Sequence, residues 1–274
     1  MNDKDASISA PSAQSAPATS PGARPAIGGR HIGKRFGHVQ ALVDANIEVN
    51  HGEVVALFGD NGAGKSTFLK TLQGIHRPDS GQVEIEGQPV VLDSIRDTQR
   101  LGVHCVHQEL ALAPDLSVVD NMFLGHERIV SGVGRPFGYL NRREMSEMAD
   151  AALKDLSITL PSLKVEVRDL SGGQRQAVAV ARAAMWATSA LLLDEPTAAL
   201  GARQSEVVCN LMRTVASRGL GVLVVSHDLP RILGMADRIV ILWRGETVLN
   251  APAEGLTVPD VVATMVGFKQ KGAA

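Results

Sequence analysis

Val54-Val55-Ala56-Leu57-Phe58 runs without a polar residue into Gly59-Asp60-Asn61-Gly62-Ala63-Gly64-Lys65-Ser66-Thr67, and Lys65–Gln73 then has the character of a helix. A short, wholly apolar run is what a strand buried on both faces requires, so strand, glycine-rich turn and helix in this order predict a parallel, helix-covered sheet. The glycines let the backbone curl until its N–H groups and the helix N-terminus point at one spot, which suits phosphate oxygens. Lys65 adds a point charge for β and γ phosphates, and Ser66 a hydroxyl that can ligate Mg²⁺. A glycine-rich turn beside a solvated lysine is the plain alternative.

Two further runs, Ala190–Leu193 and Gly221–Val225, have the same buried character and are separated by a helical segment over Arg203–Arg218. The fold class is therefore α/β. Strand character also marks His31–Phe36, Val39–Val49, Gln82–Ile85, Val90–Leu92 and Val103–His107, the last ending at Gln108. Arg238–Trp243 and Thr247–Leu249 read as a hairpin about Arg244-Gly245. From Glu109 to Arg168 the pattern turns helical, with a polar helix from about Asn141 to Asp155 and a glycine-rich break at Ser131–Gly138. With the helix after Leu170 included, this is an inserted helical lobe over about 109–186. Residues 1–27 are dominated by Ser, Ala, Pro and Thr without a hydrophobic period and are expected to form a disordered tail. Residues 28–268 are expected to form one domain and 269–274 a short C-terminal tail.

Composition narrows the function. Of 274 residues 45% are hydrophobic, enough for a sizeable core, and the formal net charge of -2 offers no basic footprint for nucleic acid. The richest apolar stretch, Ala177–Leu193, is broken by Arg182 and followed by Asp194, so no membrane span is expected. The N-terminus lacks the basic start and apolar core of an export signal, so the protein is expected to remain in the cytoplasm. Cys105 and Cys209 read as free thiols.

Asp194 and Glu195 end an apolar strand, an expensive place for two carboxylates unless a cation or a water needs them. Asp194 suits Mg²⁺ through water, and Glu195, on the other side of the strand end, suits a general base. A helix cap before Pro196 is the bland alternative. Leu170-Ser171-Gly172-Gly173-Gln174 opens a helix running to about Trp186, so its N–H groups make a second anion site. His104, Cys105 and His107 suggest a metal site, but strand alternation puts His104 on the face opposite the other two, and a packed strand is the better reading.

The phosphate loop, Leu170–Gln174 and the Asp194-Glu195 strand end, in this chain order, resemble the nucleotide-binding domains of ABC transporters over about Gly28 to Phe268. The resemblance implies a P-loop ATPase cassette with a mixed sheet core, an antiparallel β subdomain and the helical lobe. It implies ATP and Mg²⁺ as ligands, with Gly59, Asn61, Gly62, Gly64, Lys65, Ser66 and Thr67 binding nucleotide. Ser171, Gly172, Gly173 and Gln174 of one subunit would close over the nucleotide held by another. Gln108 matches the family's glutamine that senses Mg²⁺ and the transmembrane partner. His227 matches the histidine that contacts the γ-phosphate. Phe36 matches the aromatic that stacks on adenine, a core phenylalanine being the alternative. Mg²⁺ would be held by Ser66, Gln108 and Asp194, with Glu195, His227 and Gln108 catalytic. The chain departs from the family at Ala198-Ala199-Leu200-Gly201, where an aspartate that couples the two sites is usual in place of Gly201.

The segment from His107 through Gly125, together with Tyr139–Arg143, looks like the corresponding region of bacterial ribose, xylose and fructose importers. That likeness implies a homodimer on the cytoplasmic face of the inner membrane. It would drive a transmembrane sugar permease served indirectly by a periplasmic sugar-binding protein, with no nucleic-acid partner. An importer of amino acids or lipids, a soluble non-transport ABC ATPase and a non-hydrolysing regulatory module are the other readings. Leu110–Gly125, with Leu116, Val118, Val119, Met122 and Phe123, is expected to pack the lobe with some residues and to line a groove for a permease helix with others.

Overall fold

The computed structural model describes residues 24–130 and 138–271. Residues 1–23 of the tail expected over 1–27, residues 131–137 of the glycine-rich break expected over 131–138, and residues 272–274 lie outside them. A single ten-stranded sheet runs through the described residues in the order β5-β4-β1-β2-β10-β9-β3-β8-β7-β6. One half is parallel: β9 (Arg238–Trp243), β3 (Val54–Phe58), β8 (Gly221–Val225), β7 (Ala190–Asp194) and β6 (Val103–Val106). The other is antiparallel: β1 (Pro25–Phe36), β2 (Val39–Asn50), β4 (Ser80–Ile85) and β5 (Gln88–Val90). β10 (Glu246–Pro252) joins the halves, antiparallel to β9 and parallel to β2.

The two-residue period of the central strands creates two cores. Val54, Ala56 and Phe58 of β3, with Leu191, Leu193, Val222 and Val224, face one side. There they meet α3 (Val118–Phe123), α4 (Arg142–Asp155), α5 (Gly172–Trp186) and α6 (Ala202–Ser217). Val55 and Leu57, with Leu192, Leu223 and Val225, face the other, against Phe68, Leu69 and Leu72 of α1 (Lys65–Leu72). Burial on both faces is why these strands are apolar throughout.

Three expectations change. The tail boundary moves, because β1 starts at Pro25 and Ala26 and Ile27 are fully buried, Ile27 pairing with Val49 and Ile85. The strand read at Val90–Leu92 is instead Gln88–Val90, since Glu86-Gly87, with φ of 53° and 68°, forms a two-residue turn that pairs Ile85 with Gln88. Val118, Val119, Met122 and Phe123 are all buried in the lobe core, so none of them lines a groove. Of the large hydrophobic residues in that stretch, Leu116 and Leu124 are the exposed ones, at 37% and 47%.

On β6 the alternation separates the three candidate ligands as expected. Cys105 Sγ takes a hydrogen bond from Gln73 Nε2 at 3.0 Å and lies 3.9 Å from His107 Nδ1, while the His104 ring sits across the sheet, 6.5 Å from that of His126. Burial, with His126 and Arg182 nearby, pulls the His104 pKa down to about 4. Between pH 6.5 and 4 the unfolded chain takes up a proton here that the folded chain refuses. The site contributes fully above pH 6.5, and roughly 3 kcal/mol of stability is lost as pH falls toward 4. His104→Gln is expected to flatten the acid limb of a Tm-against-pH curve. Parallel curves for parent and variant would remove His104 from this role.

Candidate phosphate-binding site

At the C-terminal edge of β3 the chain turns through Gly59–Gly64 into α1. Gly59 (φ 154°) and Gly64 (φ 108°) hold conformations that L side chains avoid. A Cβ on Gly59 would lie 2.4 Å from the Leu242 carbonyl oxygen, and one on Gly64 2.7 Å from that of Ala41. The loop is thus pressed against β2 and the β9–β10 turn, where Gly245 N–H donates to the Ala63 carbonyl at 2.9 Å. Gly64 caps α1 with no side-chain hydrogen bond and no acidic residue follows in the first turn, so no carboxylate of the helix's own first turn takes up its positive end.

That cleft, about 420 Å³, brings together Asp60, Asn61, Gly62, Gly64, Lys65, Ser66 and Thr67 of the loop with Gln108, Asp194, Glu195 and His227. Four separate elements converge: α1, the segment after β6, the end of β7 and the segment after β8. Parallel strands deliver their C-terminal ends to one edge, which is where such folds hold ligands. Lys65 is buried, its Nζ donating to the carbonyls of Gly59 at 2.7 Å and Asp60 at 3.1 Å. Burial pushes its pKa below the ordinary lysine range, with Glu195, Asp60 and Asp194 pulling the other way.

Glu195 is held left-handed at φ 51°, strain of the kind that collects at functional sites. The His227 backbone N–H donates to Glu195 Oε2 at 3.2 Å. His227 Nε2 lies 3.1 Å from Oε1, close enough for an ion pair but not aligned as a hydrogen bond, and among the described residues Oε1 is buried without a hydrogen-bond partner. Burial raises the Glu195 pKa; His227 opposes the rise and Asp194 adds to it. A carboxylate with a raised pKa and one unengaged oxygen in a phosphate-binding cleft has the make-up of a proton acceptor.

Ser171, Gly173 and Gln174 lie elsewhere, lining a separate cavity of about 370 Å³ with Arg203 and Gln204 of α6. Ser171 caps α5 in a capping box: its Oγ accepts from Gln174 N–H at 3.3 Å, and Gln174 Oε1 accepts from Ser171 N–H at 2.9 Å. One copy of the chain therefore does not bring this turn to its own phosphate loop. Phe36 stands at the end of β1, paired with Val39, which lines the phosphate cleft. It is 43% exposed and not a core residue. Gly201 caps α6 without a side-chain hydrogen bond.

Two contributors escaped the sequence reading. Val39, Gln40 and Ala41 wall the cleft but arrive from a hairpin with no motif of their own. Arg182 of α5 donates to the carbonyls of Leu110 (3.0 Å) and Ala111 (2.8 Å), two left-handed residues just after Gln108. Its one trace in the sequence is a charge inside an apolar helix.

Residues 42–198 match the ABC transporter family model. The xylose/arabinose import ATP-binding protein of Sulfolobus acidocaldarius is 41% identical over 87% of this chain and 93% of its own length. The fructose import ATP-binding protein of Rhizobium meliloti is 41% identical over 90% and 95%. Against the xylose import ATP-binding protein of Burkholderia ambifaria, 36% identical, the chain spans 45% of the relative's length. An ATP-binding cassette solved as a dimer in a post-hydrolysis state with ADP and Pi shares 26% identity at a TM-score of 0.68, over 84% of this chain and all (100%) of that one. Near-complete overlap with two relatives 41% identical, and a family match that runs from within β2 to just past Glu195, place this chain in the ABC transporter family.

Proposed function

We propose that this chain is the ATP-hydrolysing subunit that energises a membrane permease importing monosaccharides. The observation that carries the reading is the convergence of Lys65, Ser66, Gln108, Asp194, Glu195 and His227 in one cleft, in a chain 41% identical to two sugar-import ATP-binding proteins.

ATP lies with its phosphates in the Gly59–Thr67 loop, where backbone N–H groups, the α1 N-terminus and Lys65 take the negative charge. Ser66, Asp194 and Gln108 fit Mg²⁺: all three are oxygen donors on one cleft, with the acidic one at a strand end. The ion supplies charge neutralisation at the transferring phosphate. The Glu195 carboxylate takes the proton of the attacking water, and His227 holds that carboxylate and reaches the γ-phosphate. Phe36 stacks on the adenine. The Ser171–Gln174 turn completes the site of a second copy, since a single copy keeps it in another cavity. Asn61 and Thr67 complete the loop's contacts.

The working unit is a homodimer at the cytoplasmic face of the membrane, bound to permease subunits that receive sugar from an extracytoplasmic binding protein. No described helix is long and apolar enough to cross a membrane. Leu116 and Leu124, exposed beyond Gln108, supply the permease's apolar contact. The test is reconstitution of the chain with its cognate permease in vesicles and measurement of ATP-dependent uptake across a panel of pentoses and hexoses. Saturable uptake of one of them is expected. ATP-driven uptake of an amino acid or lipid, with none of any sugar, would overturn the substrate class.

A further inference from the structure

We infer that His76 is a positioning residue for the nucleobase, acting through Phe36, with Lys34, anchored by Asp79, beside the same ring. This rests on the proposed stacking of adenine on Phe36. A ring 43% exposed at a strand end has no core to hold it, and free rotation about its side-chain torsions would have to be lost each time a base stacked. The structure supplies the restraint.

The His76 ring meets Phe36 edge-on, centroids 5.0 Å apart and planes at 70°, an arrangement that aromatic quadrupoles favour. Lys34 Nζ stands 5.6 Å from the Phe36 centroid. Neither neighbour is loose. Lys34 Nζ donates to Asp79 Oδ1 at 2.8 Å, and the Arg35 N–H donates to Asp79 Oδ2 at 2.7 Å. Asp79 N–H returns a bond to the Gly33 carbonyl at 2.9 Å. One aspartate thus ties the β1 end, side chain and backbone, to the segment that follows α1. His76 is placed by that segment too, its N–H donating to the Lys70 carbonyl in the last turn of α1.

The phosphate loop and the residue that restrains the Phe36 ring therefore flank opposite ends of the same helix. Gly64 and Lys65 begin α1 at the phosphate cleft, and the chain leaving its other end carries His76 and Asp79 to Phe36. α1 thus joins the phosphate loop to the segment that restrains Phe36. The consequence is a restraint on the base that leaves phosphate binding untouched.

The experiment compares His76→Ala, His76→Phe and Phe36→Ala in the full chain, with ATP and with inorganic tripolyphosphate, which carries the phosphates without the base. Calorimetric affinity and the KM and kcat of hydrolysis are measured for each. His76→Ala is expected to raise Kd and KM for ATP roughly 3- to 10-fold, about the loss expected from freeing one aromatic side chain. Its tripolyphosphate affinity and kcat hold, and His76→Phe, which keeps an aromatic edge, restores ATP affinity. If Phe36→Ala weakens ATP binding and His76→Ala does not, the inference is wrong and the stacking reading stands. If Phe36→Ala leaves ATP affinity unchanged, both fall. If His76→Ala weakens tripolyphosphate as much as ATP, the residue supports the phosphate loop or the fold and the inference is overturned.

Discussion

Glu195→Gln is expected to bind MgATP and to hydrolyse it about 10²-fold or more slowly than the parent chain. Glutamine keeps the shape and can still accept from the His227 N–H, but it takes no proton from water. Oε1 lies buried 3.1 Å from His227 Nε2 and makes no hydrogen bond among the described residues, so the substitution breaks none there and chiefly removes the negative charge and the base. The raised pKa gives the pH dependence its sign. A carboxyl whose folded pKa lies above its unfolded one favours the fold while protonated, and that contribution is lost as pH rises through the folded value. At neutral pH the ionised group therefore costs stability, and the variant is expected to melt higher than the parent even without nucleotide. Activity of the parent should fall on acidification through the same raised pKa. With turnover blocked, the ATP-bound dimer accumulates and is visible by gel filtration. Near-normal turnover in Glu195→Gln would remove this residue from the base role.

Lys65→Ala should fail one step earlier, with ATP affinity lowered roughly 10- to 100-fold, the range for a lost charge-assisted hydrogen bond. Nζ already donates to two carbonyls of the loop, so the substitution also removes a support of the loop itself. Equilibrium binding of ATP measures the loss, and unchanged affinity would refute the phosphate-loop assignment. The same variant tests the shared site. Ser171 lines a different cavity from Lys65 in one copy. Mixing inactive Lys65→Ala with inactive Ser171→Arg is therefore expected to rebuild one complete site per mixed dimer and to recover a fraction of the ATPase activity. No recovery, with mixed dimers shown to form, would count against a site built from two copies.

Much of this site is legible in the chain because backbone chemistry leaves it few alternatives. Gly59 and Gly64 occupy conformations and close approaches that exclude a side chain, and Asp194-Glu195 ends a strand that is otherwise entirely apolar. Such residues carry their constraint in their identity. Leu116 to Phe123 shows the limit: a stretch of apolar residues with few charges reads equally as a docking surface or as core. The pattern has no way to tell which. α3 turns Val118, Val119, Met122 and Phe123 inward and leaves Leu116 and Leu124 out.

Sequence by itself determined the α/β class, the phosphate loop, the acidic strand end and the glycine-rich helix start, since each is a local event in which a few consecutive residues dictate backbone path and charge. Tertiary structure alone decided the rest. It brought Val39–Ala41 to the phosphate cleft and ran Arg182 across to the residues after Gln108. It put the Ser171 turn in a cavity of its own and set His76 against Phe36. These pairings join residues tens of positions apart, and their partners are chosen by how ten strands order themselves in one sheet, a global packing outcome that no local pattern encodes.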